Sequence, residues 1–201
     1  METAAYWIAL LTVIAVPPFL LLWFMVHPLA PLWRRLGPAC TYAAVGSIIA
    51  AITLAMYLIR APLLRIRFGV RWPLVCLAVP CLLAGLYIGL RRFRLLTPSI
   101  MFGLPELSRE RGPGRLLTEG IYSQMRHPRY VEVGLVLASM ALFCNYLALY
   151  VLLVLYAPVI YVVVLLEERE LSQRFGDEYQ RYSREVPRFL PGLRCRGRNP
   201  R

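Results

Sequence analysis

Apolar residues run in long blocks along this chain, separated by short segments that carry arginine. Ala5 through Val26 and Ala39 through Ile59 are long enough to cross a bilayer as helices, and Pro73 through Leu90 is a shorter third candidate. Val131 through Leu166 is too long for one span and too short for two generous ones. Asn145-Tyr146 interrupts that block, which predicts a tight hairpin of two helices. Pro17-Pro18 predicts a kink in the first span, and Pro80 a break in the third. Ala43, Ala44, Gly46, Ser47, Ala50 and Ala51 suit close contact by the second span. Gly85 and Gly89 form a small-xxx-small pair in the third.

After Leu166 the pattern becomes amphipathic, with Leu171, Phe175, Tyr179 and Tyr182 recurring on one helical face. Gly176 marks a bend, and Pro187 and Pro191 end the regular structure. The expected fold is therefore an all-α integral membrane protein with about five transmembrane helices, the last two a hairpin, followed by a cytoplasmic amphipathic helix. Residues 1–90 hold three spans, 91–191 the polar loop, hairpin and amphipathic helix, and 192–201 a basic tail. No charge lies near the hairpin turn, so arginine bias puts the turn outside and residues 91–130 and the C-terminus in the cytoplasm. The loop carrying Arg60, Arg65, Arg67 and Arg71 then falls on the outer side, against that bias.

Composition sharpens this picture. Residues of the apolar class make up 59% of the chain, which excludes an ordinary soluble globule. The net charge of +12 comes from arginine without any lysine. It lies between apolar runs and in the tail, as membrane-flanking charge does, rather than on a soluble nucleic-acid-binding face. Four of the five cysteines lie in apolar segments, no C-x-x-C pair occurs, and the two histidines, His27 and His127, offer no zinc set. His27, before a proline at a membrane edge, reads as a loop residue. The N-terminus lacks the positive region of a secretory signal, and its apolar run is too long for one.

Chemistry concentrates at the two ends of the hairpin. His127 precedes a proline, so it is biased toward extended backbone, and Pro128 suits the first turn of the following helix. A helix start flanked by Arg126 and Arg129 favours a carboxylate or phosphate, although a basic membrane anchor would look the same. At the other end, Glu167, Glu168 and Glu170 oppose the helix dipole next to the membrane, where charge is most costly. The hairpin brings these acids back to the face that holds His127, so a zwitterionic ligand would suit the pocket between them. The forty-odd polar residues of 91–130 lack the alternation and glycine-rich turn of a nucleotide-binding βαβ domain, so such a cofactor would need a membrane-built pocket.

The run Leu116-Leu117-Thr118-Glu119-Gly120-Ile121-Tyr122 followed by Arg126-His127-Pro128-Arg129-Tyr130 resembles the G-x-Y…R-H-P-x-Y signature of the isoprenylcysteine carboxyl methyltransferase and phospholipid methyltransferase family. Glu167-Glu168, Leu171, Phe175-Gly176, Glu178-Tyr179, Tyr182 and Val186-Pro187 resemble its ending, and the resemblance covers roughly residues 91 to 191. The resemblance implies an integral-membrane enzyme that moves a methyl group from S-adenosylmethionine to a lipophilic or lipid acceptor. It implies a pocket lined by Leu116, Leu117, Tyr122, His127, Pro128, Tyr130 and Glu168, with Glu167 and Arg126 as catalytic groups and no metal. The arginine that the prenylcysteine enzymes carry one turn before the glutamate is Val163 here, which argues against a prenylcysteine acceptor. Two other readings stay open at this point: an NADPH-dependent membrane reductase of the sterol type, and a non-catalytic membrane scaffold.

Overall fold

The computed structural model describes residues 1–26, 30–95 and 116–190, with backbone alone for 22–26, 30–36 and 38. His27, the loop residues 96–115, the tail from Pro191 and the side chains of Arg34 and Arg35 lie outside the described residues. The chain forms α1 (Glu2–Val26), α2 (Ala30–Leu58), the single turn α3 (Arg60–Leu63), α4 (Trp72–Phe93), a 3-10 turn (Gly120–Ser123), α5 (Pro128–Cys144), α6 (Leu147–Phe175) and α7 (Asp177–Glu185). Four of these helices are long and apolar enough to cross a membrane: α1, the Ala39–Leu58 part of α2, α4 and α6. The fifth expected span, α5, is a helix of 17 residues that pairs with α6.

Proline breaks less than the sequence suggests. Helix α1 runs through Pro17 and Pro18, and α4 runs through Pro80. Neighbouring helices and local adjustment satisfy the freed backbone groups of such helices in a membrane. The interruption falls instead at Gly37, with φ 80° and ψ 164°, which separates the first turns of α2 from its membrane-spanning part.

The hairpin turn is tied down from outside. Asn145 closes α5 in the left-handed conformation (φ 56°, ψ 46°), which a short amide side chain tolerates better than most. Its Nδ2 donates to the Gly69 carbonyl at 2.7 Å, and its Oδ1 accepts from the Tyr150 hydroxyl at 3.0 Å. The Phe68 amide donates to the Asn145 carbonyl at 3.0 Å, and the Leu147 amide to the Ile66 carbonyl at 3.1 Å. Glu2 joins from α1 by accepting from the Val70 amide at 3.0 Å. The start of α1, the loop after α3 and the hairpin turn therefore share one end of the bundle. The arginines of residues 60–71 sit at that end.

Two glycines decide how α4 meets α5. A Cβ on Gly85 would lie 3.0 Å from Val136 Cγ2 and 3.3 Å from the Glu132 carbonyl oxygen; one on Gly89 would lie 2.7 Å from Glu132 Oε1. The Gly85/Gly89 face is thus a slot for α5, and α4–α5 is the most extensive helix pair in the bundle. Within it, Arg92 Nε donates to Glu132 Oε2 at 2.9 Å, with both side chains largely buried. On α2, Gly46 has open space where a Cβ would go among the described residues.

Breaking one half of a buried ion pair strands the other charge, so Arg92→Gln should destabilise the bundle by about 3 kcal/mol or more. Replacing both partners, Arg92→Met with Glu132→Leu, should recover most of that loss in a thermal or denaturant titration. Gly85→Val should cost about 1–3 kcal/mol by overpacking against Glu132 backbone and Val136. A Gly85→Val protein as stable as the parent would show that the slot is not tight.

Candidate functional site

Helix α5 begins where a residue without an amide hydrogen can begin one. Pro128 takes the first helical position, and His127 precedes it at φ −122°, ψ 57°. The His127 ring makes no capping bond to its own helix. It is buried, 4% exposed, against α6, and each ring nitrogen faces a different carboxylate. Nε2 lies 3.3 Å from Glu168 Oε1 and Nδ1 lies 3.5 Å from Glu167 Oε2. Carboxylates only accept, so both contacts can be hydrogen bonds only when both ring nitrogens carry protons.

The two adjacent glutamates have different surroundings. Glu168 is gripped by two arginines: Arg126 Nη1 at 2.9 Å from Oε1, and Arg188 through Nε and Nη2 at 2.8–3.1 Å in a forked pair. Arg126 Nη1 also donates to the Tyr179 hydroxyl at 3.3 Å. Glu167 is more open, with 30% of its side chain exposed, and accepts from the Tyr130 hydroxyl at 2.9 Å. Tyr130 is fixed in turn by Tyr156 of α6, whose hydroxyl donates to the Tyr130 carbonyl at 2.6 Å. One further group lacks a partner: Arg126 Nε is a buried N–H with no acceptor among the described residues.

The helix start itself is already partly used. The amides of Arg126 and His127, which a bound anion might otherwise take, donate to the carbonyls of Pro187 and Arg188 at 2.9 and 3.0 Å. The segment after α7 therefore lies across the start of α5 as a strap, with the Phe189 ring 6.2 Å from the His127 ring. Tyr182 secures the strap's root by donating to the Tyr122 carbonyl at 2.7 Å.

Of the residues that the sequence nominates, Arg126, His127, Tyr130, Glu167 and Glu168 form one contiguous polar cluster, with Pro128 setting the helix that holds them. Tyr122 joins at the edge: its hydroxyl is raised above the ordinary tyrosine range chiefly by burial, and it feels the charges of Arg92, Glu167, Arg129 and Glu132. Leu116 is buried and Leu117 half-buried at the beginning of the described segment; neither enters the polar cluster. Arg188, Tyr156 and the Arg92–Glu132 pair were not nominated. The only sequence signal for Arg188 is its place directly after Val186-Pro187. Tyr179, nominated as a helix-face residue, turns out to accept from Arg126. On the membrane side of the cluster, Phe19, Leu20, Arg129, Tyr130, Val133, Tyr156 and Ile160 line a shallow, mostly apolar cleft between α1, α5 and α6.

Burial, followed by the nearby Glu168 charge, pushes the Tyr179 hydroxyl up to about 12. A group with a raised folded-state value costs no stability below its ordinary value near 10 and weakens the fold as pH rises through its folded value. Stability should therefore be flat up to about pH 10 and fall toward about pH 12. Tyr179→Phe should shallow that alkaline limb in thermal unfolding measured across the range; an unchanged limb would assign it to other groups.

The family model for phospholipid methyltransferases matches residues 74–178, just over half of the chain. Methanethiol S-methyltransferase 1 of Bradyrhizobium diazoefficiens is 32% identical over 102 residues, covering 47% of this chain and 34% of that protein. The chain thus spans about a third of the length of this curated relative. No solved structure matches it.

Proposed function

The chain belongs to the phospholipid methyltransferase family, and from that premise we propose that it is an integral-membrane methyltransferase that uses S-adenosylmethionine to methylate a lipophilic acceptor. The observation that carries this reading is the paired-charge cluster at the start of α5, placed directly behind an apolar cleft that opens between membrane helices. A zwitterionic ligand head and an apolar acceptor would be brought together at such a junction. The reductase and scaffold alternatives have no observation of this kind in their favour.

The residues present fit the donor's amino-acid head. The buried Arg126 Nε–H, still without an acceptor among the described residues, suits its carboxylate, with His127 beside it. Glu167, the more exposed of the two acids, suits an ammonium or sulfonium charge, and the Tyr130 and Tyr122 rings can favour the same cation. The bound donor would supply an activated methyl group on a positively charged sulfur. The chain's own contribution is alignment: the hairpin holds the polar cluster, and an acceptor that reaches it from the membrane side would be positioned against the donor.

An acceptor that carries a proton must lose it. Glu167, hydrogen-bonded to Tyr130 at the head of the cleft, is placed to take it. The relative's name makes thiols the first acceptors to screen, lipophilic ones above all, with phospholipid amines second. We assign the cluster end of the bundle to the cytoplasm from the arginine of residues 91–94 and 126–129.

Titrating S-adenosylmethionine into the detergent-purified protein by calorimetry should give saturable binding that His127→Ala abolishes. NADPH should give none. NADPH binding in place of S-adenosylmethionine would move the protein to the reductase class, and a folded protein that binds neither would be a scaffold. With a thiol or amine acceptor in hand, Glu167→Gln should lower kcat by roughly 10²–10⁴-fold, measured at saturating S-adenosylmethionine because loss of the same charge also weakens donor binding. Full turnover by Glu167→Gln would remove it as the base.

A further inference from the structure

The strap formed by Pro187, Arg188 and Phe189 has no regular structure of its own, since α7 ends at Glu185 and Val186 is extended (φ −115°, ψ 128°). Its ties include two main-chain bonds to Arg126 and His127, the forked Arg188–Glu168 pair, the Arg188 guanidinium 5.8 Å from the Tyr161 ring centre, and Phe189, which lies beside the His127 ring and packs on the apolar core around Tyr130 and Tyr156. Beneath it lie the groups that a polar ligand would need: the side chains of Arg126, His127 and Glu168 are 10%, 3% and 12% exposed. Arg188 is 36% exposed, so the outer half of this contact faces solvent while the inner half is buried.

We propose that Arg188 is a positioning residue: by gripping Glu168 it holds the strap closed over the start of α5 and leaves Glu167 as the acid presented to the ligand. The cofactor half of this proposal rests on the methyltransferase reading above; the clamp does not. The geometry favours Arg188 as the clasp for three reasons. A forked guanidinium–carboxylate pair fixes both orientation and distance, which a lysine or an isolated hydrogen bond does not. Both Glu168 oxygens are committed to arginines, so Glu168 has little capacity left for a ligand ammonium, whereas Glu167 is more open. Removing Arg188 leaves Glu168 still paired with Arg126 and His127, so no buried charge is stranded and the hairpin should survive. Loss of the clasp should therefore open the strap without unfolding the bundle.

The test uses the full chain in detergent or nanodiscs, with Arg188→Gln and Arg188→Lys beside the parent. Amide hydrogen exchange at Arg126 and His127 reports the strap directly, because those two amides are bonded to its carbonyls. Exchange in residues 149–164 of α6, which carry the buried Leu149, Tyr156, Ile160, Val163 and Val164, reports the fold. Arg188→Gln should speed exchange at the two strap-bonded amides roughly tenfold while leaving α6 at the parent rate. Arg188→Lys, which keeps the charge and loses the fork, should fall between them. Bound S-adenosylmethionine should leave Arg188→Gln roughly tenfold faster than it leaves the parent.

Parent-like exchange at Arg126 and His127 in Arg188→Gln would overturn the clamp, as would an equal rise throughout α6. Faster local exchange with an unchanged dissociation rate would overturn its control of the site. A parent protein that does not bind S-adenosylmethionine at all would sink the cofactor reading, and the exchange arm would still decide the clamp.

Discussion

Ionisable groups buried at the start of a short helix, on the membrane face of a hairpin, must find partners or cost several kcal/mol each. Much of the C-terminal half can be understood as supplying those partners. Helix α6 brings Glu167 and Glu168 to His127 and Arg126, α7 adds the Tyr179 hydroxyl, and the strap adds Arg188 together with two main-chain carbonyls. These elements are separated in sequence by up to some sixty residues, so the full set of partners is present only when hairpin, α7 and strap are all in place. The hairpin supplies the inner pairs, and the strap closes over them as an outer layer.

The opposite end of the hairpin is built mainly by main-chain and amide hydrogen bonds, with the Glu2 carboxylate joining them. Asn145, in the left-handed conformation, links the turn to the loop after α3, and Glu2 links that loop to α1. Its job is register: with the turn fixed, the length of α5 sets the height at which His127 meets α6. The Gly85/Gly89 slot fixes the same helix laterally against α4, and Arg92–Glu132 locks it there. Helix α5 is thus held at its end by the turn, on one side by α4 and on the other by α6. A 17-residue helix, short for a membrane, is placed by its neighbours.

Much of this was legible in the sequence. Apolar block lengths gave the helices, Asn145-Tyr146 gave the turn, and Gly85 and Gly89 gave the α4 contact. The R-H-P and E-E motifs marked residues that do come together. Three things were not legible, each for a physical reason. Pro80 reads as a break in α4, yet the helix continues through it, as α1 continues through Pro17 and Pro18, since neighbouring helices can satisfy the freed backbone groups. The small residues of α2 read as a packing face, but small side chains report only that close approach is allowed. Arg188 reads as one more arginine in a basic stretch, because a partner twenty residues away leaves no periodic trace.

The adjacent acids show why a motif is not a role. Glu167 and Glu168 are identical in type and neighbours in sequence, and on a helix they point about 100° apart. That rotation sends Glu168 inward to two guanidinium groups and leaves Glu167 beside Tyr130 at the head of the cleft. Glu168, with the lower exposure and two cations in hydrogen-bond contact, is held as a fixed anion. Glu167 accepts from the Tyr130 phenol and is the more exposed of the two, which puts it nearer to an arriving ligand. A base needs some freedom to accept a proton, whereas a structural counter-ion needs the reverse. On the reading proposed above, the pair would divide those two requirements between its members, with Arg188 of the strap holding Glu168 to the second.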